Sequence, residues 1–460
     1  MSNLKGVSRI TQIVRNMSTV GREKIEIVKQ ILKKIHRGED FSKLKAEFEN
    51  VLAQISPFEI VLIEQELVRE GVSLNEILKM CDIHLELFRK SLSERELRDV
   101  PHGHPLDLLL RENEDILKTA EALGVYTGGL KRAIDNSEDT NIGLLLSNIR
   151  ELLSILKKNL RNHYRKNQMV LFPYLERRGI VSIPRVMWGR EDQVLVKIRE
   201  VQAEIEKTIS GFDKKSLDSI VNTISNMVKE VVDLVFRENK ILYPALWVIL
   251  SEGEWAAVDE VAGRLGYNIS VGRREWSPSR EPKYPHEVEA GVVEEGLDKL
   301  PEEFREVLAS GHTTPDDYVI KKEGDIEFET GFLGKEEIEA IFKSLPLEVT
   351  YANIDRRVRF FSESSIAGGF PRAKTIIGRR LEYCHPPRLE NYVLKNIEYL
   401  VKTGEKYRVF WTKLGDRIIR VMIVAVRNSK NELLGVLEVV EDFTDIVNNP
   451  EEVKRKIVVL

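Results

Sequence analysis

Two stretches of the chain end alike: HYRKNQMVLFPYL, residues 163–175, and LVFRENKILYPAL, residues 234–246. They superpose at a fixed offset of 71 residues, and each carries Leu-aromatic-Pro-x-Leu. A repeated helix terminus implies a repeated helix pair, which reads as an up-down four-helix bundle, a scaffold whose core commonly holds metals between facing helices. Periodicity around the repeats predicts helices near 105–123, 141–168, 189–209 and 215–238. The apolar register Ile149, Leu152, Leu156, Leu160 puts His163 on the inward stripe, with Asn167 one turn later on the same face. In the second copy Leu234 matches His163 and Glu238 matches Asn167, so each copy offers one candidate ligand where a full site would want two.

A length of 460 residues exceeds one core, and ~150 residues per domain suggests three units. A hydrophobic content of 42% excludes wholesale disorder, and 70 basic against 74 acidic side chains leave no footprint for nucleic acid or an anionic membrane. Neither is expected as a partner. Cys81 and Cys384 are the only thiols, which argues against a disulfide scaffold and for a reducing, cytoplasmic compartment. The N-terminus has no apolar run of signal-peptide length, and no segment approaches the ~20 apolar residues that cross a bilayer; a soluble protein is expected.

After a tail at 1–21, residues 22–97 read as a small helical domain with segments near 23–36, 41–54, 57–70 and 73–91. Ser56-Pro57-Phe58-Glu59 and Ser73-Leu74-Asn75-Glu76 are capping boxes. Cys81 and His84 could share a helical face and bind a soft metal, but two ligands do not close a structural zinc site, and Cys81 lies at core spacing with Ile77, Leu78, Leu85 and Phe88. The bundle should occupy 98–266. From 267 to 333 periodicity collapses, prolines cluster between Trp276 and Asp316, and a surface linker with one short helix, Pro301 to Ala309, is expected.

Residues 334–447 change class. A helix at Lys335 to Ser344 leads into a hairpin, Leu347–Asn353 with Val358–Phe361, then a helix near 387–403 and strands near 406–414, 417–427 and 434–442, before a tail at 448–460. This order describes an α+β sensory fold. Cys384 and His385, just before the long helix, could ligate haem or metal; alternatively Cys384 is core, His385 caps locally and Pro386-Pro387 starts the helix.

The stretch from Asp107 to Trp255 resembles a hemerythrin-like HHE cation-binding domain, whose repeated motif is a histidine, a glutamate four residues on, and Leu-Phe-Pro. The likeness includes His104-Pro105, Arg111-Glu112-Asn113, Phe172-Pro173-Tyr174-Leu175-Glu176 and Val186-Met187-Trp188-Gly189. The preceding unit resembles a helical domain of unknown function found before such bundles in prokaryotic proteins. The last unit resembles a PAS domain through Val358-Arg359-Phe360-Phe361-Ser362, Cys384-His385-Pro386-Pro387 and Glu438-Val439-Val440-Glu441-Asp442-Phe443-Thr444. The fold implied is therefore multidomain: an all-α N-terminal module, a four-helix hemerythrin-like bundle and an α+β PAS domain.

The resemblance implies a pair of irons, or another metal pair, held by histidines and carboxylates. His104, His163 and Glu238 fit ligand positions; Asn167 and Gln168 replace expected acids, Glu191 stands in the place of a histidine, and Leu234 replaces another. Neutral amides cannot bridge two cations as carboxylates do. His104, His163, Glu191 and Glu238 could still form a mononuclear site for non-haem iron, manganese or zinc, with His102, Glu112 or Glu114 as possible compensation. The alternative is a relict cavity in which His163 and Glu238 satisfy each other without an ion.

No nucleotide loop, nucleophile elbow or kinase motif appears, so enzymatic activity is not indicated. The function expected is that of a sensory or regulatory protein responding to a small molecule or gas, such as oxygen, nitric oxide or a redox signal, with a PAS ligand unspecified and a homodimer through the PAS domain as one route of response. The competing expectations are a non-haem iron protein performing oxygen, peroxide or nitric oxide chemistry, and a structural adaptor.

Overall fold

The computed structural model describes residues 19–37, 39–52, 63, 67, 70–72, 97, 99–136, 139–208, 213–289, 315–363 and 372–458. The expected helix at 73–91 with its Cys81 and His84, most of the helix at 57–70, and the short helix at 301–309 lie outside the described residues. The chain divides into two compact units, Met1–Tyr318 and Val319–Leu460.

The first unit begins with α1 (Thr19–His36), α2 (Phe41–Glu47) and α3 (Glu49–Leu52). Val28, Ile31, Leu32 and Ile35 form the buried stripe of α1 at helical spacing. Asp40 caps α2, its carboxylate accepting the Lys43 N–H at 2.7 Å.

Four long helices follow: α4 (Pro105–Asp135), α5 (Asp139–Lys166), α7 (Ser182–Thr208) and α8 (Lys214–Arg237), with α6 (Phe172–Arg177) between α5 and α7. Each packs on two neighbours, α4 on α5 and α8, α7 on α5 and α8, which closes a four-helix bundle. The first helix runs well past the expected end at 123. Thr127, Leu130, Ala133 and Ile134 continue its buried face, and Gly129, where a Cβ would stand 3.4 Å from a Leu145 methyl carbon, permits close contact with α5. After α8 come α9 (Tyr243–Ile249) and α10 (Glu252–Leu265), the latter started by a Ser251/Glu254 capping box.

The repeated terminus has a backbone signature that periodicity did not disclose. A π-helical turn, Asn167–Leu171, separates α5 from α6, and its copy, Glu238–Leu242, separates α8 from α9. The Phe172 N–H bonds to the Asn167 carbonyl and the Tyr243 N–H to the Glu238 carbonyl, five residues apart. Pro173 and Pro244 follow immediately. Proline lacks an N–H and its ring collides with the carbonyl four residues back, and the wider turn accommodates that defect. Asn167 and Glu238 each open such a turn.

Residues 267–289 are the first part of the expected surface linker. They form a strap fastened along the bundle: Glu275 N–H bonds to the His102 carbonyl at 3.0 Å, Lys283 N–H to the Gly253 carbonyl at 2.9 Å, and Tyr174 donates to the Lys283 carbonyl at 2.9 Å. Arg274 crosses Gly103 so closely that a Cβ there would lie 2.7 Å from the arginine Cβ, while its guanidinium forks onto Asp259. Val288 is buried, and Arg177 Nε donates to its carbonyl. Hydrophobic periodicity misses such a segment because its attachment is through backbone polar groups.

The second unit opens with a small hairpin, β1 (Ile326–Phe328) and β2 (Gly331–Leu333), inside the region expected to be linker. Then come α11 (Lys335–Ser344), β3 (Glu348–Asn353), β4 (Val358–Phe361), α12 (Pro387–Thr403), β5 (Tyr407–Leu414), β6 (Arg417–Arg427) and β7 (Leu433–Asp442). The antiparallel sheet has the order β4-β3-β7-β6-β5. Ala352, Val358, Leu381, Ile397 and Val436 form its small core beneath α12. Short helices α13 (Thr444–Asn448) and α14 (Pro450–Arg455) end the described chain.

Strand β7 has one position that tolerates no side chain. At Gly435, opposite Asn353, a Cβ would stand 2.1 Å from the Ala352 carbonyl oxygen and 2.9 Å from the Tyr351 ring. Gly435→Ala should cost ~1–3 kcal/mol. Hydrogen exchange of β3 and β7 amides should accelerate in the full chain while α4 and α5 keep their protection.

Candidate functional site

The two repeats bring their polar groups together in the bundle interior, toward one end of the long helices. His163, from α5, is fully buried between two carboxylates: Nδ1 lies 2.9 Å from Glu112 Oε2 on α4, and Nε2 lies 3.0 Å from Glu238 Oε2 at the second π turn. Lys166, one turn beyond His163 and also buried, donates to Glu112 Oε1 at 3.0 Å and Oε2 at 3.2 Å. The strap supplies a further donor, the Asn268 N–H, 2.8 Å from Glu112 Oε1. Asn167 Nδ2 donates to Glu238 Oε1 at 3.0 Å and to Glu191 Oε1 at 3.3 Å, and Gln168 Nε2 donates to Glu191 Oε2 at 2.6 Å. Tyr243 sits 3.0 Å from His163 Nε2 and donates its hydroxyl proton to Asn167 Oδ1 at 3.3 Å.

The electrostatics follow from this geometry. Burial alone would lower the His163 pKa, but the Glu238 charge and the hydrogen bonds the ring donates to both glutamates outweigh it and hold the imidazole up at about 9. Burial tends to raise the Glu112 carboxyl; His163, Lys166 and the Asn268 N–H overcome that and hold it below its ordinary value. Glu191 goes the other way. Burial, then the neighbouring Glu238 charge, pushes it up to about 8 against the amide donors Gln168 and Asn167. Burial lowers the Lys166 ammonium, opposed by Glu112. At neutral pH the His163 ring therefore carries a positive charge between Glu112 and Glu238, with the Lys166 amine on Glu112, and Glu191 is protonated.

A metal does not fit this donor set. Both ring nitrogens of His163 are engaged by carboxylates, so an ion would have to displace one of those bonds. Lys166 places a fixed positive charge on Glu112, and Asn167 and Gln168 aim N–H donors at Glu191 and Glu238, where a cation's ligands would have to be free. Among the described residues no group of three or more His, Cys, Asp or Glu side chains is arranged to hold a metal ion.

The structure brings three of the four expected ligands, His163, Glu191 and Glu238, into one network. His104 is engaged elsewhere. Its Nδ1 accepts the Leu106 N–H at 3.1 Å as the N-cap of α4, and its ring meets Trp247, Trp255 and Trp276 edge-on at centroid separations of 5.1, 4.8 and 4.5 Å. Burial, aided by the Arg274 charge, lowers its pKa to about 3, so it is a neutral cap in an indole cage. Of the compensating acids considered, Glu112 enters the cluster, whereas His102 and Glu114 are exposed. Lys166 was not anticipated, although it stands three residues from His163 on a helix; nor was Tyr243, the repeat's counterpart of Phe172. Asn268 lies outside the repeat and leaves no periodic signal.

In the second unit Cys384 and His385, among the described residues, bond to backbone carbonyls. The thiol donates to the Arg380 carbonyl at 3.5 Å and burial pushes its pKa up; His385 Nδ1 donates to the Leu381 carbonyl at 3.0 Å. Cys384 packs against the apolar core beneath α12.

Bundle, π turns and converging carboxylates define a hemerythrin-type helical domain, and the sheet order defines a PAS-type unit. Comparison with known families agrees: residues 104–246 match the Hemerythrin HHE cation binding domain, residues 338–444 the PAS domain, and residues 28–94 a family of unknown function (DUF438). The chain carries these three domains in that order. No curated protein matches it. A solved structure, described as a C-terminal domain from Streptococcus mutans, is similar at 30% identity over 27% of this chain and 96% of that one, with a TM-score of 0.26.

The buried charges make bundle stability depend on pH. His163, raised in the folded state, contributes stability that is complete below pH ~6.5 and is lost as pH rises through about 9. Glu191, also raised, adds a loss in the same direction between its unfolded value of 4.5 and about 8. The bundle should therefore melt at lower temperature at pH 9 than at pH 6, and His163→Gln should flatten that slope. Lys166→Met should destabilise the bundle by ~3 kcal/mol at pH 7, and a cycle with Glu112→Gln should show strong non-additivity in chemical denaturation.

Proposed function

We propose that this chain is a cytoplasmic sensory or regulatory protein whose hemerythrin-type site has exchanged its metal pair for an internal cation, and whose PAS domain reads a small signal such as oxygen, nitric oxide or redox state. The pairing of HHE and PAS domains supports a sensory or regulatory role in general. The observation carrying the finer reading is Lys166 bonded to Glu112 beside a doubly bonded His163. Two fixed cations balance two carboxylates, so the cluster gains nothing electrostatically from an ion.

No helix among the described residues is long and apolar enough to cross a membrane. The exposed outer face of β5, with Tyr407, Val409 and Trp411, supports self-association through the PAS sheet as the response.

Metal analysis of full-length protein produced with added iron tests the exchange. Below ~0.1 metal per chain is expected, and Lys166→Leu combined with Asn167→Glu and Leu234→His should raise occupancy several-fold. Stoichiometric iron in the unaltered chain would refute it and restore the competing iron chemistry. The sensory reading is tested by sedimentation and hydrogen exchange after exposure to oxygen, a nitric oxide donor or a thiol reductant; at least one should shift the association state.

A further inference from the structure

On the outer side of the helix that carries His163, α5 and α7 border an open groove of about 500 Å³. It is lined by Lys157, Lys158, Arg161 and Arg165 together with Asn162 and Gln202. Lys157, Arg161 and Arg165 follow one another at one-turn intervals, a row spanning ~12 Å along the helix. Four cations are gathered here in a chain whose net charge is −4.

These charges are not neutralised. Lys157 donates to the uncharged amide of Gln202 at 3.0 Å, and among the described residues Lys158, Arg161 and Arg165 meet no carboxylate. Burial, then the like charges of Arg161 and Arg199, lowers the Lys157 pKa. Surface cations on helices ordinarily alternate with acids. Here the sequence KKNLRNHYR, residues 157–165, places none among them. The polar floor is held in place: Asn162 Nδ2 donates to the Gly266 carbonyl at 2.8 Å and to Asn268 Oδ1 at 3.3 Å, so it is pinned by the same strap that reaches Glu112.

We propose that this groove binds a linear oligophosphate of three or more phosphates. Arginine forks suit phosphate oxygens, and a row of cations one turn apart suits an extended anion better than a compact one. Among the described residues no aromatic side chain lines the groove, so none of them would stack on a nucleobase. The ligand is accordingly recognised by its phosphate chain and not by an attached nucleoside. This inference is independent of the sensory reading.

Calorimetric titration of the full chain with inorganic tripolyphosphate tests it. Saturable one-to-one binding is expected, weakening at least tenfold between 50 and 300 mM salt, on the order expected when several cations are involved. Arg161→Ala and Arg165→Ala should each weaken it at least threefold, and Arg161→Glu at least tenfold; both positions are exposed, so the fold is retained. Lys430→Glu, an exposed change in the other unit, should leave binding unaltered. Parallel titrations with orthophosphate, a nucleoside triphosphate and a short single-stranded RNA complete the test. Orthophosphate should bind at least tenfold more weakly, the nucleoside triphosphate no tighter than tripolyphosphate. Absence of tripolyphosphate binding, indifference to the arginine substitutions, or a more than tenfold preference for the nucleotide or RNA would overturn the proposal.

Discussion

The bundle is organised around one histidine held between two carboxylates. His163 joins α5 to α4 through Glu112 and to the second π turn through Glu238, both contacts fully buried. A buried carboxylate without a counter-charge would neutralise itself or draw in water. Lys166, the Asn268 N–H and the Asn167 and Gln168 amides complete the arrangement, so that each glutamate finds donors outside its own element. Four helices, two π turns and the strap are thereby tied to a cluster of a few side chains.

Internal duplication explains why those groups meet. Proline at the same place in both copies imposes a widened turn just where the helix must present a polar side chain inward, and Asn167 and Glu238 occupy equivalent starts. Equivalent backbones then carry different chemistry. One copy contributes a histidine, an amide and a lysine, the other a leucine and a carboxylate, and the asymmetry lets the cavity's polar groups pair with one another. The strap sharpens this, since Asn268 donates to Glu112 on one side and Asn162 reaches the strap from the other.

The PAS unit shows the opposite balance. Cys384 and His385, before α12, bond to neighbouring carbonyls, and its strands are held by antiparallel register. The tight approach of Gly435 to β3 is part of that register. The apolar side chains on the outer face of β5 belong to the sheet's alternation and remain open to solvent.

Much of the architecture was legible from the chain alone because period and punctuation are local properties. The 71-residue repeat, the stripe through Leu156 and Leu160, and the strand runs near 406–414, 417–427 and 434–442 marked the bundle and the sheet, and resemblance to HHE and PAS families rested on neighbouring residues. The first bundle helix outran its expected end because tertiary packing against Leu145 compensates for glycine. The site was legible only in outline. Spacing along one helix could show that His163 faces inward, but the partners of its two nitrogens lie 51 and 75 residues away, and only assembly of the bundle selects Glu112 and Glu238. His104 carried the right side chain for a ligand, yet its place at a helix start among three indoles made it a cap. Whether Lys166 points to water or to a buried carboxylate depends on long-range packing, which local sequence does not encode, and that choice settles the charge of the cavity.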